Sequence, residues 1–256
     1  MGERRAGRAA EVAALRLGLE LGMGLVDTAE MYGEGGAEEV VAEAIRGVRE
    51  RVFLVSKFYP HNASPKRLRA ACEGSLRRLR TEAIDLYLLH WRGAGPLART
   101  VAELERLVAA GLVRRWGVSN FDVADLEELV AVPGGERVAA NQVLYNLATR
   151  GIEHDLLPWS RARGLVTMAY SPVDQGRLAH HPALGTVARR VGATPAQVAL
   201  AWLLRRPDLV VIPKAVDPAH VRANRGAASI SLDAEALAAL DRGFPPPRAK
   251  RPLAMT

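Results

Sequence analysis

Short apolar segments rich in β-branched residues alternate with longer segments of helical period along the whole chain. The apolar segments cover residues 25–29, 52–56, 84–89, 113–118, 138–144, 165–170 and 209–212. Each is close to continuously apolar, which is typical of a strand in a parallel sheet that helices cover on both faces. The alternation therefore predicts an α/β fold made of repeated strand–helix units.

The length of the chain favours a barrel over an open sheet. A chain of 256 residues suits one (β/α)8 barrel, which typically needs about 250 residues. An open nucleotide-binding sheet would carry a GxGxxG turn after its first strand, and Gly33, Gly35 and Gly36 do not have that spacing. We therefore predict a TIM-type (β/α)8 barrel that forms a single domain over residues 1–256.

The chain is one strand short of a complete barrel. It opens on a predicted helix from Ala9 to Leu21, and seven strand-like segments follow. We expect that the first barrel strand is missing from this chain, either by natural truncation or because translation was assigned to start too late. A barrel without one strand has an unpaired edge, which is costly.

Composition narrows the class of protein further. Hydrophobic residues make up 49% and charged residues 25% of the chain, which indicates a folded globular protein. The net charge of +7 comes from 31 arginines and four lysines interspersed with acids, so we expect a solvated surface and no nucleic-acid partner. The one cysteine, Cys72, excludes a disulfide framework.

Targeting and membrane signals are also missing from the sequence. There is no signal peptide and no run of about 18 apolar residues. We expect a cytoplasmic monomer that has no membrane partner and no metal site.

Polar residues at the predicted strand ends are the candidates for chemistry. Two of the four lysines in this arginine-rich chain, Lys57 and Lys214, stand at predicted strand ends. Because an ammonium is a compact charge whose pKa can shift, unlike a guanidinium, we expect these two positions to need a lysine. Asp27, Tyr32, Lys57 and His90 form a plausible proton-transfer set, since a buried cation can change the acidity of a tyrosine. The alternative interpretation is that Lys57 is a surface lysine, Tyr32 an ordinary loop tyrosine and His90 a core histidine.

Seven segments, in their order and spacing, resemble the aldo-keto reductase family. They are LVDTAEMYGEGGAEE, VFLVSK, DLYLLHW, WGVSNF, NQVLYN, YSP and VIPK. The resemblance runs from about Ala9 to about Leu240 and depends on no single motif. It implies a (β/α)8 barrel that binds NADPH without a Rossmann fold and reduces a small aldehyde or ketone by hydride transfer.

The resemblance also implies roles for the candidate residues. Tyr32 would be the general acid, Lys57 with Asp27 would lower its pKa, and His90 would orient the carbonyl substrate. Trp91 would line the substrate pocket.

The remaining implied contacts are with the cofactor. Ser119, Asn120 and Gln142 would hold the nicotinamide carboxamide, and Tyr170 would stack under the ring. The further cofactor-binding residues would be Ser171, Pro172, Leu178, Ile212, Lys214, His220 and Asn224.

The chain departs from the family pattern where the cofactor tail would bind. Ala215 stands in place of Ser or Thr, His220 in place of Arg, and Ala223 in place of Glu, whereas Lys214 and Asn224 are kept. A lost contact to a charged group costs about 1.5–3 kcal/mol. We therefore expect a weakened preference for NADPH, with NADPH still bound more tightly than NADH.

The missing first strand leaves a second hypothesis open. The chain could be a nucleotide-binding regulatory barrel or an inactive barrel, because the loop after that strand touches cofactor and substrate in the family. The presence of Tyr32 and Lys57 favours an enzyme over a pure binding protein.

Overall fold

The computed structural model describes residues 1–3 and 5–255 of the chain. Within these residues it has seven β-strands and ten α-helices. The strands are β1 (Leu25–Asp27), β2 (Phe53–Phe58), β3 (Ile84–Leu89), β4 (Val113–Ser119), β5 (Ala140–Leu144), β6 (Val166–Tyr170) and β7 (Leu209–Val211). The parallel pairs are β1 with β2, β2 with β3, β3 with β4, and β6 with β7.

Helices follow the strands in regular succession. They are α1 (Arg8–Glu20), α2 (Gly36–Ala44), α3 (Pro65–Leu79), α4 (Leu97–Ala109), α5 (Val123–Val130), α6 (Leu156–Ala162), α7 (Pro182–Val191), α8 (Pro195–Leu204), α9 (Pro218–Gly226) and α10 (Ala234–Gly243). None of these helices, within the described residues, has both the length and the apolar character that a membrane crossing needs.

The contacts divide the chain into two compact units. Unit 1 comprises Met1–Asn141 with Val216–Pro218, and unit 2 comprises Gln142–Ala215 with Ala219–Thr256. The α/β class and all seven strands predicted from the sequence are confirmed. The prediction of a single domain is not tested by this division and stays a prediction.

Unit 1 contains β1 to β4, which pair in parallel. Every residue of β3 is buried, including Asp85, whose carboxylate pairs with Arg49 and Arg114. In the register of the sheet, Asp27 lies opposite Val55 and Lys57 lies opposite Leu88. The end of β1 therefore lies beside the middle of β2, two residues before Lys57.

Unit 2 is organised around the buried helix α8. Thr194 and Gln197 form the predicted capping box at its start, and Val198 to Leu203 are all buried. The parallel pair of β6 and β7 belongs to the same unit. The guanidinium of Arg150 binds Glu153 at 2.8 Å and lies 5.0 Å from the ring of Trp202.

The strand bounds differ slightly from the sequence prediction, and one difference matters. Strand β2 continues to Phe58, two residues beyond the predicted end, so Lys57 lies inside the strand and not at its very end. A residue within a paired strand is held by the hydrogen bonds of the sheet. The backbone of Lys57 is therefore fixed on both sides.

A buried ion pair anchors the segment that follows β1. The Glu38 carboxylate is fully buried and accepts hydrogen bonds from Ser56 Oγ and Arg78 Nε, both at 2.6 Å. Gly35 has a φ of +89°, and a Cβ at this position would lie 2.6 Å from Arg78 Cδ. Arg78 thus packs on the turn Tyr32–Gly35 and pairs with the helix that follows it.

We predict that Arg78→Met lowers the free energy of unfolding by about 2–3 kcal/mol, because it leaves a buried carboxylate without its cation. The matched control is Arg69→Met, which breaks an exposed pair with Glu73 and should cost less than about 1 kcal/mol. Urea denaturation measures both. Equal losses for the two variants would contradict the anchoring role of Arg78.

Candidate active site

The buried ammonium of Lys57 is the centre of the site in unit 1. Its side chain is 0% exposed. Nζ donates to Asp27 Oδ2 at 2.7 Å, to the Thr28 carbonyl at 2.8 Å and to the Tyr32 hydroxyl at 3.3 Å. An ammonium has three N–H donors, so this set of three acceptors fixes its position completely.

The order of the strands explains why these groups meet. Asp27 ends β1 opposite Val55, and Lys57 lies two residues beyond Val55 on the same face of β2. Tyr32 follows β1 within five residues, in the turn that the Glu38 ion pair anchors. The structure therefore brings together Asp27, Tyr32 and Lys57, as the sequence predicts.

Lys57 stays protonated despite its burial. Burial lowers the pKa of the ammonium, but Asp27 and Tyr32 raise it by more, so the net pKa lies above the ordinary value. Lys57 thus stays positively charged near neutral pH.

The net pKa of Tyr32 goes against the sequence expectation. Burial raises the pKa of the phenol, the charge of Lys57 lowers it, and Asp27 raises it again, so the net pKa is higher than that of an exposed tyrosine. Lys57 acts in the expected direction, but burial outweighs it. Tyr32 therefore keeps its proton near neutral pH.

His90 stands beside Tyr32, directly after β3. The two rings meet edge to face, with 5.7 Å between their centroids. Burial, and then the charge of Lys57, lowers the pKa of His90 to about 3. Its Nδ1 atom is buried without a hydrogen-bond partner among the described residues. The imidazole is consequently neutral and can act as a hydrogen-bonding group without carrying charge.

An aromatic wall of Trp91 and Tyr59 adjoins this group. The Trp91 ring lies 5.1 Å from that of His90 and 5.8 Å, edge to face, from that of Tyr59. The Glu30 carboxylate accepts hydrogen bonds from Tyr59 N at 2.8 Å and from Asn62 Nδ2 at 2.9 Å. Sequence reasoning missed Tyr59 and Glu30, although Tyr59 comes only two residues after Lys57.

Unit 1 also holds two of the predicted cofactor residues. Ser119 ends β4 and Asn120 follows it with a left-handed φ of +59°, a conformation that asparagine tolerates. Asn120 Nδ2 donates to the His90 carbonyl and to Ser119 Oγ, both at 3.1 Å. This amide ties the ends of β3 and β4 together.

The other predicted cofactor residues are in unit 2. Gln142 is buried in β5, and Tyr170 ends β6. Ser171 has a φ of +48°, and its carbonyl accepts a hydrogen bond from Asn146 Nδ2 at 3.0 Å. Pro172 and Leu178 are buried in the segment that follows.

The predicted cofactor-tail residues of unit 2 lie at and beyond the end of β7. Ile212 and Lys214 follow this strand, and Lys214 is exposed. His220 and Asn224 are both in α9, one exposed and the other half-buried.

Taken one by one, these side chains have the chemistry that a phosphorylated nicotinamide dinucleotide needs. Hydroxyl and amide side chains match a carboxamide, an aromatic ring at a strand end can stack on a flat heterocycle, and an exposed lysine matches a phosphate. The residues that supply these groups are Ser119, Asn120, Gln142, Tyr170 and Lys214.

Taken together, a βα-repeat fold and a buried Lys–Asp–Tyr set beside a neutral histidine suit the class of enzymes that transfer a proton to or from a carbonyl oxygen. Comparison with known proteins identifies the family. The family described as "Aldo/keto reductase family" matches residues 2–243. The chain belongs to the aldo-keto reductase family, as the sequence resemblance indicated, and is an oxidoreductase.

Individual relatives agree with this assignment. The methylglyoxal reductase YeaE of Escherichia coli is 50% identical over 260 aligned positions, which cover 100% of this chain and 92% of the relative. The methylglyoxal reductase DkgB of Salmonella typhimurium is 32% identical, covering 90% of this chain and 87% of the relative.

A solved structure extends the likeness to the fold. An aldo/keto reductase from Klebsiella pneumoniae, crystallised with NADP and acetate, superposes with a TM-score of 0.99 at 52% identity. The match covers 100% of this chain and 92% of that one.

The low pKa of His90 predicts a pH-dependent cost in stability. The unfolded chain binds a proton at His90 below about pH 6.5, whereas the folded chain resists this down to about pH 3. Stability is therefore lost as the pH falls through this window, at up to about 1.4 kcal/mol per pH unit.

We expect His90→Gln to flatten the dependence of the unfolding free energy on pH between these limits. His154→Gln, at an exposed position, is the control and should leave the slope as in the parent protein. The measurement is denaturant unfolding at a series of pH values. A slope that His90→Gln does not change would contradict the buried neutral imidazole.

Proposed function

We propose that this chain reduces the carbonyl group of a small aldehyde or ketone with NADPH, and that Tyr32 is the general acid. The observation that carries the proposal is the Lys57 ammonium, whose donors reach Asp27, Thr28 and Tyr32 within 3.3 Å. A protonated phenol held against a fixed cation is suited to proton donation, because the cation stabilises the phenolate that donation leaves.

The chemistry then divides between the cofactor and the chain. NADPH, when bound, supplies a hydride to the carbonyl carbon. Tyr32 gives its proton to the carbonyl oxygen, so that a C–H and an O–H bond form and the C=O double bond becomes single. Lys57 stabilises the resulting phenolate, and a proton from water restores Tyr32.

His90 has an orienting role in this proposal. Its imidazole is neutral because burial and the nearby Lys57 charge lower its pKa to about 3. A neutral imidazole can donate one hydrogen bond to the carbonyl oxygen without itself competing as a strong acid. His90 therefore directs the oxygen toward Tyr32, while the latter supplies the proton.

The substrate class we propose is short dicarbonyls of the methylglyoxal type. Two relatives are methylglyoxal reductases by name. The aromatic wall of Trp91 and Tyr59 next to His90 suits a compact, flat substrate. Trp91 is the residue that we expect to contact the part of the substrate beyond its reacting carbonyl.

For the cofactor we propose the contacts that the resemblance implies. Ser119, Asn120 and Gln142 hold the carboxamide, and Tyr170 stacks on the nicotinamide. The backbone and side chains that complete the site are those of Ser171, Pro172, Leu178, Ile212, Lys214, His220 and Asn224. A Klebsiella pneumoniae relative that was crystallised with NADPH supports this choice of cofactor.

We also propose that the enzyme is a cytoplasmic monomer. The single cysteine, which is buried, is in keeping with a reducing compartment. A regulatory or inactive barrel is the less favoured alternative, because the full set of Asp27, Tyr32, Lys57 and His90 is present and assembled.

Methylglyoxal reduction, followed by NADPH absorbance, tests the function. We expect turnover by the parent chain and a loss of about 10²–10⁴-fold in kcat for Tyr32→Phe, the range that general acid catalysis contributes. The control is Tyr87→Phe, which removes the hydroxyl of a fully buried tyrosine in the same unit and should leave kcat within about threefold. No turnover of any small carbonyl by the parent chain would sink the proposed function.

Lys214 is expected to discriminate between the two nicotinamide cofactors. We predict that NADPH binds more tightly than NADH, and that Lys214→Met brings the two Kd values about tenfold closer, since it removes a charged partner of the 2′-phosphate. Lys66→Met, at an exposed position in unit 1, should not alter the ratio. Titration by fluorescence measures Kd, and equal values for NADPH and NADH in the parent chain would refute the prediction.

A further inference from the structure

We infer that Arg92 is a positioning residue for substrate binding, because it holds the loop after β3 and thereby sets the place of Trp91. This inference rests on the proposed function, in which Trp91 lines the substrate pocket. Arg92 is a charged residue outside the proposed catalytic set.

Arg92 connects its own loop to a neighbouring helix. Nη2 donates to both carboxylate oxygens of Glu128, in α5, at 2.9 and 3.0 Å. Nη1 donates to the backbone carbonyls of Gly93 and Gly95, the latter at 3.0 Å. One guanidinium thus binds two points of the loop 90–96 and one point of α5.

The loop would have little order without these contacts. Its sequence, His-Trp-Arg-Gly-Ala-Gly-Pro, contains two glycines, which cost more conformational entropy to order than other residues. A planar guanidinium with five fixed donors can bind several acceptors at once, which a lysine ammonium cannot do with the same geometry. The Arg92 side chain can therefore connect the loop to α5 by itself.

A close contact joins the loop after β3 to the loop after β2, which carries Tyr59 of the aromatic wall. Gly93 packs so tightly on the loop after β2 that a Cβ would lie 2.8 Å from Pro60 Cβ. Pro60 is adjacent in sequence to Tyr59, and Tyr59 meets Trp91 edge to face. The Arg92 contacts and the Gly93–Pro60 contact thus hold the backbone next to Trp91, and the rings of Tyr59 and His90 contact its indole.

The loop after β2 is likewise held by one charged side chain. Glu30 binds Tyr59 N and Asn62 Nδ2, so one carboxylate fixes that loop as one guanidinium fixes the other. The two halves of the aromatic wall are each fixed by a single charged side chain. Arg92 differs from Glu30 in that its partner, Glu128, belongs to a separate helix.

Steady-state kinetics with methylglyoxal and NADPH give the first test. We expect Arg92→Ala to raise KM for methylglyoxal about tenfold, because displaced contact groups lower productive binding, while kcat stays within about threefold and the Kd of NADPH is unchanged. Arg92→Lys should raise KM for methylglyoxal by nearly as much. Glu128→Gln should give an intermediate KM, since it keeps the backbone contacts of Arg92.

The matched control is Arg161→Ala. Arg161 also pairs with both oxygens of one carboxylate, since its Nε and Nη2 donate to Asp208 Oδ2 and Oδ1 at 3.0 and 3.2 Å, but it lies in unit 2. This variant should show the parent KM and kcat. A fall in kcat with unchanged KM for Arg92→Ala, or a KM no different from that of Arg161→Ala, would overturn the inference.

A second readout does not depend on turnover. In a Trp159→Phe background the remaining tryptophans other than Trp91 are Trp116 and Trp202, which are 2% and 0% exposed. Acrylamide quenching then reports chiefly on Trp91, and we expect Arg92→Ala to increase it about twofold as the loop loosens.

The quenching result separates the two proposals. A parent chain without reductase activity would remove the proposed function, yet increased quenching would still support the loop-holding role of Arg92. Unchanged quenching in Arg92→Ala, relative to Arg161→Ala in the same background, would refute that role whatever the activity.

Discussion

The ammonium of Lys57 lies where water does not reach it, and the site is arranged around the cost of burying that charge. Removing an ammonium from water costs several kcal/mol unless opposite charge and hydrogen bonds compensate. Asp27 supplies the charge, and Thr28 and Tyr32 supply the remaining acceptors. The same cation holds the phenol in place and lowers the pKa of His90. Burial is the larger influence on both neighbouring rings, since it raises the pKa of Tyr32 and lowers that of His90, and so keeps each ring uncharged.

The sheet and its loops have different tasks in building this site. The ends of β1 and β2 hold Asp27 and Lys57 in a register that backbone hydrogen bonds fix. The residues directly after β1 and β3 still donate backbone hydrogen bonds to β2. Farther along the chain, charged side chains hold the loops: Glu38 with Arg78 for the turn of Tyr32, and Glu30 for the loop of Tyr59. Charge pairs therefore give the loops the precision that the strands have from pairing.

Much of this arrangement is predictable from the sequence, for identifiable reasons. Most residues of the seven strands are apolar, and a lysine in or next to a strand is conspicuous in a chain with 31 arginines. The net pKa of Tyr32 is not predictable, since the degree of burial that raises it is a property of the folded chain. The contacts of Glu30 and Arg92 are not predictable either, because the sequence does not distinguish a charged loop residue that binds other groups from one that is only solvated.

A double-mutant cycle on Asp27 and Lys57 tests the central claim most directly. The parent, Asp27→Asn, Lys57→Met and the double variant would be compared by kcat for methylglyoxal reduction. If the buried pair acts as one unit, each single variant should lose about as much as the double variant, as in other catalytic groups that act together. Losses that multiply in the double variant would show that the two residues act independently and would contradict the account.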